Sequence, residues 1–271
     1  EFEPAANVID TLVEYDKFGT VQPALATSWE TSEDGLTWTF HLRNDAKWVK
    51  SDGSEYGPVT AHDFVTGLRW VVNPENQSKT SDVVCSVIAN ADELYTKKIT
   101  DFEQLGVKAV DDYTLVYTLK APTPYFLSML TYVCFMPANA DFIAEKGDKF
   151  GAADSADNLL YCGAFRIADF QPQVLHTFVK NDAYWDKDNV FLDEIQETFN
   201  KEAVTLAPTM YQRDEVDYAV ISADILPTWM NDAKLKDVVA PQRNSYYSYF
   251  FCFNFDPQFD AAYQPDNWLL A

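Results

Sequence analysis

The three histidines are the residues best suited to acid–base or nucleophilic chemistry, and their surroundings favour neither. His41 lies on an alternating segment whose apolar residues point the other way, so its ring is expected to face solvent. His62 falls in the first turn of a predicted helix, and His176 on a predicted strand. A nucleophilic triad needs a histidine between Ser or Cys and a carboxylate, and no Gly-x-Ser-x-Gly motif occurs. The sequence therefore predicts no catalytic residue.

Carboxylates are abundant enough to form pairs by chance. The sequence has 42 Asp and Glu residues, with adjacent pairs at Glu33-Asp34 and Asp111-Asp112. A glycosidase uses two carboxylates across a cleft, but both pairs lie in predicted turns, where Asp bonds to the local backbone. The acidic run 154–158 lacks the glycine and the distal glutamate of an EF-hand calcium loop. No metal site is predicted.

The cysteines are expected to be small buried apolar residues. They are Cys85, Cys134, Cys162 and Cys252, and none has the close spacing of a zinc ligand pair. A disulfide between Cys134 and Cys162 remains an open alternative, because sequence alone does not establish pairing. The disulfide state of all four is left undetermined.

The net charge excludes several classes of partner. Lys and Arg number 20 against 42 acidic residues, which gives a net charge of −22. Nucleic acid and anionic membrane surfaces would both repel such a chain. No Gly-rich phosphate-binding motif is present, so no cofactor is predicted. No apolar run reaches the roughly 18 residues that a membrane-spanning helix needs.

Aromatic residues are the remaining candidates for a site. Tyr246 and Tyr247 lie at the start of a dense aromatic strand predicted at 245–255, and tyrosine offers an apolar face and a hydroxyl to a wet cleft. The phenylalanines that follow them are expected in the core. The same is expected of the four tryptophans in the first part of the chain, which are Trp29, Trp38, Trp48 and Trp70.

Apolar periodicity predicts the elements that must position these residues. Strands are expected as a hairpin within 25–43, a pair within 107–119, and single strands near 164–170, 174–180, 193–199, 216–221 and 245–255. Helices are expected at 60–72, capped by Thr60, and near 81–96, 125–130, 141–150 and 202–212. Strands and helices alternate irregularly, which predicts a mixed α/β fold with more than one sheet.

Five blocks of sequence, in this order, resemble a known family: LATSWETSEDGLTWTFHLRNDAKW, DGSEYGPVTAHDFVTGLRWVVNP, LGVKAVDDYTLVYTLKAPTPYF, CGAFRIADF and FVKNDAYWDKDNVFLDEI. They are similar to the bacterial family 5 extracellular solute-binding proteins, which include oligopeptide- and dipeptide-binding receptors of ABC importers. The stretch IANADELYTKKITDFEQLGVKAVDDYTL is most similar to oligopeptide-binding members. The resemblance covers residues 8–256. The chain departs from the family pattern at Cys162-Gly163-Ala164-Phe165 and at the insert Glu55–Gly57.

The resemblance implies a fold of the periplasmic-binding-protein class, in which two lobes close on a ligand. Family members are roughly twice as long, so the chain is interpreted as the N-terminal lobe without its second lobe. The lobe proper is placed at 1–28 and 155–256, with an inserted α+β subdomain at 29–154. Residues 257–271 are expected to form the crossover toward the second lobe.

The resemblance also implies a ligand and a site. In peptide-binding relatives a short strand pairs with the peptide main chain, and by position it matches Asp10, Thr11 and Leu12. Tyr246 and Tyr247 also fall at a cleft position of the family. The expected partners are a peptide and the membrane permease of an ABC importer. The expected location is the outer face of the cell membrane, through a lipid anchor, or the periplasm.

Two alternatives stay open on the sequence alone. The first is a member of the same family that binds nickel chelate, haem or an oligosaccharide, although the four Met and three His residues are not clustered. A more distant alternative is an extracellular hydrolase.

Overall fold

The computed structural model describes residues 3–240. The chain divides into two compact units, Glu1–Lys201 and Glu202–Ala271. The strands are β1 Val13–Tyr15, β2 Val21–Pro23, β3 Ala26–Thr31, β4 Thr37–Leu42, β5 Lys47–Val49, β6 Glu55–Pro58, β7 Val107–Asp111, β8 Thr114–Thr118, β9 Phe165–Gln171, β10 Leu175–Lys180 and β11 Glu194–Thr198. The helices are α1 Glu3–Val8, α2 Ala61–Val72, α3 Ser81–Val87, α4 Ala91–Tyr95, α5 Phe126–Met129, α6 Ala140–Lys146, α7 Ala203–Gln212 and α8 Leu226–Asn231.

The first unit holds four antiparallel sheets. The largest has the strand order β3-β4-β8-β7, and a three-stranded sheet has the order β11-β10-β9. Two small ribbons pair β1 with β2 and β5 with β6. The expectation of a mixed α/β fold with more than one sheet is confirmed.

The hairpin of β3 and β4 forms because Asp34-Gly35 supplies its turn. Gly35 has φ +70°, a value that glycine adopts without steric cost. The Asp34 carboxylate accepts hydrogen bonds from the Ser32 hydroxyl at 2.6 Å and the Leu36 amide at 3.0 Å. Alternation then buries Phe40 while His41 is exposed, as the sequence predicts.

Helix α2 begins where Thr60 and Asp63 close its first turn. The Asp63 carboxylate accepts from the Thr60 amide at 2.7 Å, which satisfies one of the N–H groups left free at a helix start. The helix ends at Asn73, ahead of Pro74. Helix 60–72 was thus predicted nearly to the residue.

The prediction of a single helix near 81–96 is wrong, because residues 88–90 are not helical and separate α3 from α4. Ile88 pairs with Leu119 just beyond β8, and the Ala89 amide donates to the Thr118 carbonyl at 3.0 Å. Asn90 then adopts a left-handed φ of 62°. Backbone pairing with the end of β8 outweighs helical periodicity at this point.

Most other predicted elements of the first unit are present. Strands at 107–119, 164–170, 174–180 and 193–199 correspond to β7 to β11, and α5 and α6 match the helices near 125–130 and 141–150. In the second unit α7 matches the helix near 202–212. The strand predicted near 216–221 is wrong, since these residues form no regular element. An alternating pattern makes a strand only where a neighbour takes up its hydrogen bonds. The strand at 245–255 lies outside the described residues.

The main hydrophobic core lies between the four-stranded sheet and helices α2 to α5. Tyr117 is at its centre, with ring centroids 5.9 Å from Phe40, 5.5 Å from Phe126 and 6.5 Å from Phe135. Trp38 packs at 6.3 Å from Phe40, so the expected tryptophan packing is found. A second, smaller core joins Val8 to β9 and β10. The proposed boundaries at 28/29 and 154/155 stay predictions.

Candidate ligand-binding segment

The residues proposed to contact a ligand, Asp10, Thr11 and Leu12, lie between α1 and β1. Their exposed fractions are 9%, 8% and 0%, respectively. The Thr11 hydroxyl donates to the Val13 carbonyl at 2.7 Å. The side chains of this segment therefore point into the protein, and Asp10 is the one that carries a charge.

The Asp10 carboxylate is buried but surrounded by donors. It accepts from the Trp185 indole N–H at 2.7 Å, the Thr11 amide at 2.9 Å and the Tyr184 hydroxyl at 3.3 Å. Burial raises the pKa of Asp10, and these hydrogen bonds and the Arg43 charge counteract that rise. The net result is a raised pKa, so the donors offset only part of the cost of burying this carboxyl group.

The turn after β10 brings Tyr184 and Trp185 to Asp10. Asn181 is buried, and its side-chain amide donates to the Gly163 carbonyl at 2.9 Å. Its side-chain oxygen accepts from the Ala183 amide at 3.1 Å. The Tyr184 amide donates to the Asn181 carbonyl at 3.0 Å. One buried asparagine thus shapes the turn and ties it to β9.

Arg43 completes the group from the end of β4. Its guanidinium carbon lies 3.3 Å from the centre of the Trp185 ring, a cation–π contact. Its Nη1 donates to the Ala24 carbonyl at 3.1 Å, and its Nε donates to Asp45 at 2.6 Å. The cation is therefore held over the indole that donates to Asp10.

The chain before Asp10 packs directly on residues 162–163. The amides of Cys162 and Gly163 both donate to the Val8 carbonyl, at 3.0 and 2.9 Å. The Asp10 amide lies 3.4 Å from the Cys162 sulfur, as a donor to it. A Cβ on Gly163 would lie 2.8 Å from the Val8 carbonyl carbon, so only glycine allows this approach.

The cysteines behave as buried residues. Cys134 and Cys162 are both buried free thiols, so the disulfide considered between them is absent. Burial raises the pKa of Cys134 to about 12 and holds that of Cys162 well above its ordinary value. Cys85 is a free, half-buried thiol, and Cys252 lies outside the described residues.

The backbone of residues 10–12 is largely engaged within the protein. The Thr11 carbonyl accepts from the Leu25 amide at 3.0 Å, and the Leu12 carbonyl accepts from the Ala26 amide at 2.9 Å. These hydrogen bonds fix the segment and make it a rigid part of the first unit.

Sequence reasoning missed Arg43, Tyr184 and Trp185 as partners of Asp10. The segment NDAYWDKDN is rich in turn-forming residues, and the alternating pattern of β4 does not distinguish Arg43 from other polar residues. The available signal was the pair of large aromatics inside a turn-forming sequence, where polar residues are typical. Tyr246 and Tyr247 lie outside the described residues.

The other chemical candidates form no site in residues 3–240. His41 lies 3.9 Å from Glu30, His62 lies 3.5 Å from Asp112, and His176 stacks on Phe170. Within the same range, no group of three His, Cys, Asp or Glu residues is placed to hold a metal ion. No helix in that range is both long and apolar enough to cross a membrane.

The family described as bacterial extracellular solute-binding proteins, family 5 Middle, matches residues 20–265. The chain belongs to this family, which confirms the resemblance noted in its sequence. Proteins of this family bind solutes outside the cell or in the periplasm.

Relatives of known name agree on this class. The chain is 38% identical over 260 residues to the oligopeptide-binding protein AliB of Streptococcus pneumoniae, which covers 93% of the chain and 38% of AliB. It is 33% identical over 245 residues to the probable deoxycholate-binding periplasmic protein YgiS of Escherichia coli, covering 90% of the chain and 44% of YgiS.

A solved structure shares the fold. Listeria monocytogenes OppA bound to peptide is 36% identical, with a TM-score of 0.74, over 84% of this chain and 43% of OppA. The chain thus spans about two fifths of the length of these proteins. The expected fold class is confirmed.

Proposed function

We propose that this chain is part of a solute-binding protein that captures oligopeptides outside the cell for import by an ABC transporter. The observation that carries the proposal is the shared fold with a peptide-bound OppA at 36% identity. The 38% identity with AliB over nearly the whole chain supports the same ligand class.

Capture works by closure of two lobes around the peptide. A ligand that touches both lobes favours the closed state, because only that state offers both sets of contacts. The lobe is assigned to 1–28 and 155–256, the inserted subdomain to 29–154, and the crossover to 257–271. The membrane permease of the importer recognises the closed form.

Asp10, Thr11 and Leu12 form the short segment of the peptide site that pairs with the peptide main chain. Their side chains are buried, so they meet a peptide through the backbone rather than through side chains. Tyr246 and Tyr247, which lie outside the described residues, are included in this proposal as aromatic ligand contacts.

The protein binds its ligand without converting it. Family members and named relatives are binding proteins, and residues 3–240 contain no triad of Ser or Cys, His and carboxylate. It acts at the outer face of the membrane, through a lipid anchor, or in the periplasm. Assays with ester, glycoside and peptide substrates should give no turnover; turnover abolished by one carboxylate substitution would overturn this assignment.

A thermal-shift screen of the protein expressed from its complete gene tests the ligand class. Peptides should raise the melting temperature, whereas oligosaccharides, nickel chelates and haem should not. Deoxycholate belongs in the screen because YgiS carries that ligand in its name. Stabilisation by one of these other compounds, with none by peptides, would contradict the proposal.

A further inference from the structure

We propose that Trp185 and Arg43 are positioning residues of the peptide site. They hold the Asp10 carboxylate, and through it residues 9–12, in the arrangement that peptide binding requires. The inference rests on the proposed function and adds two residues to the site that contact Asp10 or its neighbour rather than the ligand.

The first step is the bond between Trp185 and Asp10. At 2.7 Å it is the shortest of the three hydrogen bonds to this buried carboxylate. A buried charge that loses its donor is strongly destabilised where it lies. Without the indole N–H, Asp10 keeps only the Thr11 amide and the Tyr184 hydroxyl as donors, and residues 9–12 lose the shortest bond that anchors them.

The second step is the link from Asp10 to its own backbone. The same carboxylate accepts from the Thr11 amide at 2.9 Å. The neighbouring carbonyls of Thr11 and Leu12 accept from Leu25 and Ala26. A displacement of Asp10 therefore disturbs the hydrogen bonds that fix this segment.

The third step is the support of Trp185 by Arg43. The guanidinium covers the indole at 3.3 Å and is itself held by the Ala24 carbonyl and Asp45. Arg43 thus acts on Asp10 through the ring of Trp185. Through Trp185, Arg43 also links the end of β4 to Asp10, which lies more than thirty residues earlier in the sequence.

Paired substitutions separate positioning from general stability. Trp185→Phe keeps an aromatic ring for Arg43 but removes the donor to Asp10. Trp48→Phe makes the same change at another buried carboxylate, since the Trp48 indole donates to Asp63 at 3.2 Å. Tyr184→Phe removes the longer, 3.3 Å bond to Asp10.

Hydrogen exchange on the ligand-free protein from the complete gene gives the first readout. Trp185→Phe should speed exchange of the amides of residues 9–12, and Tyr184→Phe should do so less. Trp48→Phe should leave the amides of residues 10–12 unchanged and affect the start of α2 instead; Ile9 is left out of this comparison because it lines the same small cavity as Trp48. Equal protection of residues 9–12 in the wild type and Trp185→Phe would overturn the inference.

Peptide affinity gives the second readout. The wild-type protein is first incubated with a tryptic casein digest, and native mass spectrometry identifies a peptide that it binds. That peptide is then the probe for all variants. Trp185→Phe should weaken its binding on the order of tenfold, the size expected for one lost hydrogen bond to a charged group. Trp48→Phe should bind as the wild type does.

The outcomes distinguish the two proposals. If the wild type retains no peptide, the proposed function fails and the inference fails with it. If the wild type and Trp185→Phe bind equally tightly, only the inference fails.

Arg43→Gln should also weaken peptide binding. In the double variant with Trp185→Phe, it should weaken binding by less than it does in the wild type. Full additivity would show that Arg43 does not act through Trp185.

Discussion

Two buried aspartates share a solution to the cost of burying charge. Asp10 and Asp63 each accept from a tryptophan indole and from backbone or side-chain donors nearby. Asp63 also accepts from the Asn139 side chain at 3.2 Å. Such donors offset part of the desolvation cost, and burial still raises the pKa of both carboxyl groups. Both residues hold a chain segment by its amides, in one case the candidate site and in the other the start of α2.

The pH dependence of stability should reveal Asp63. Burial raises its pKa above the ordinary 3.8, despite the donors from Thr60, Trp48 and Asn139. The folded state therefore binds a proton that the unfolded state has lost, and the free energy of unfolding falls as pH rises through this window. Denaturant titrations from about pH 3.5 to 7 should show the wild type losing stability relative to Asp63→Asn. If the difference in free energy of unfolding between the two proteins stays constant as pH rises, or grows in favour of the wild type, the prediction is wrong.

The Tyr117 hydroxyl is expected to contribute nothing to stability. The residue is fully buried among phenylalanine rings, and its hydroxyl has no hydrogen-bond partner in the described part of the chain. Tyr117→Phe should leave the free energy of unfolding unchanged or raise it, because it removes an unsatisfied polar group.

Tyr161→Phe is the matched control for that substitution. The Tyr161 hydroxyl donates to the Ala156 carbonyl, so its loss should cost about 1 kcal/mol in urea unfolding. If Tyr117→Phe lowers the free energy of unfolding more than Tyr161→Phe does, the expectation that the Tyr117 hydroxyl has no partner is wrong.

At the scale of elements, the approach of residues 7–9 to the chain before β9 depends on Gly163. A Cβ there would meet the Val8 carbonyl carbon at 2.8 Å and the Asn7 carbonyl oxygen at 2.9 Å. Gly163→Ala should lower the free energy of unfolding by about 1 to 3 kcal/mol, the usual cost of overpacking. Gly57→Ala is the control, because a Cβ there would have no neighbour within 4 Å. Equal stability of the two variants in urea titrations would contradict the tight approach.

Sequence predicts an element well where local chemistry decides its ends. The β3–β4 hairpin follows from Asp34-Gly35, and α2 follows from Thr60 and the Asn73-Pro74 pair. The helix predicted near 81–96 breaks because Ile88 pairs with Leu119, a partner distant in sequence. Periodicity contains no information about such a partner.

The candidate site shows the same limit. Asp10 was selected from the resemblance, but its burial and its indole donor depend on Trp185, which lies 175 residues away. Nothing local to Asp10 indicates that contact. The Cys134–Cys162 alternative also needed spatial information, and the structure has both as free thiols.

At the scale of the whole molecule, family membership and a large acidic excess fit a protein that works outside the cell. The net charge of −22 favours solubility and does not select a ligand. Ligand choice depends on contacts within a cleft, so it has to be measured directly.

Native mass spectrometry of the protein from its complete gene, after incubation with a tryptic casein digest, tests the central claim most directly. The account predicts mass increments that match digest peptides of differing sequence, because main-chain pairing tolerates many side chains. A protein that keeps only its bare mass in the digest, and then gains the mass of a sugar, a metal chelate or deoxycholate when these are offered, would contradict the claim.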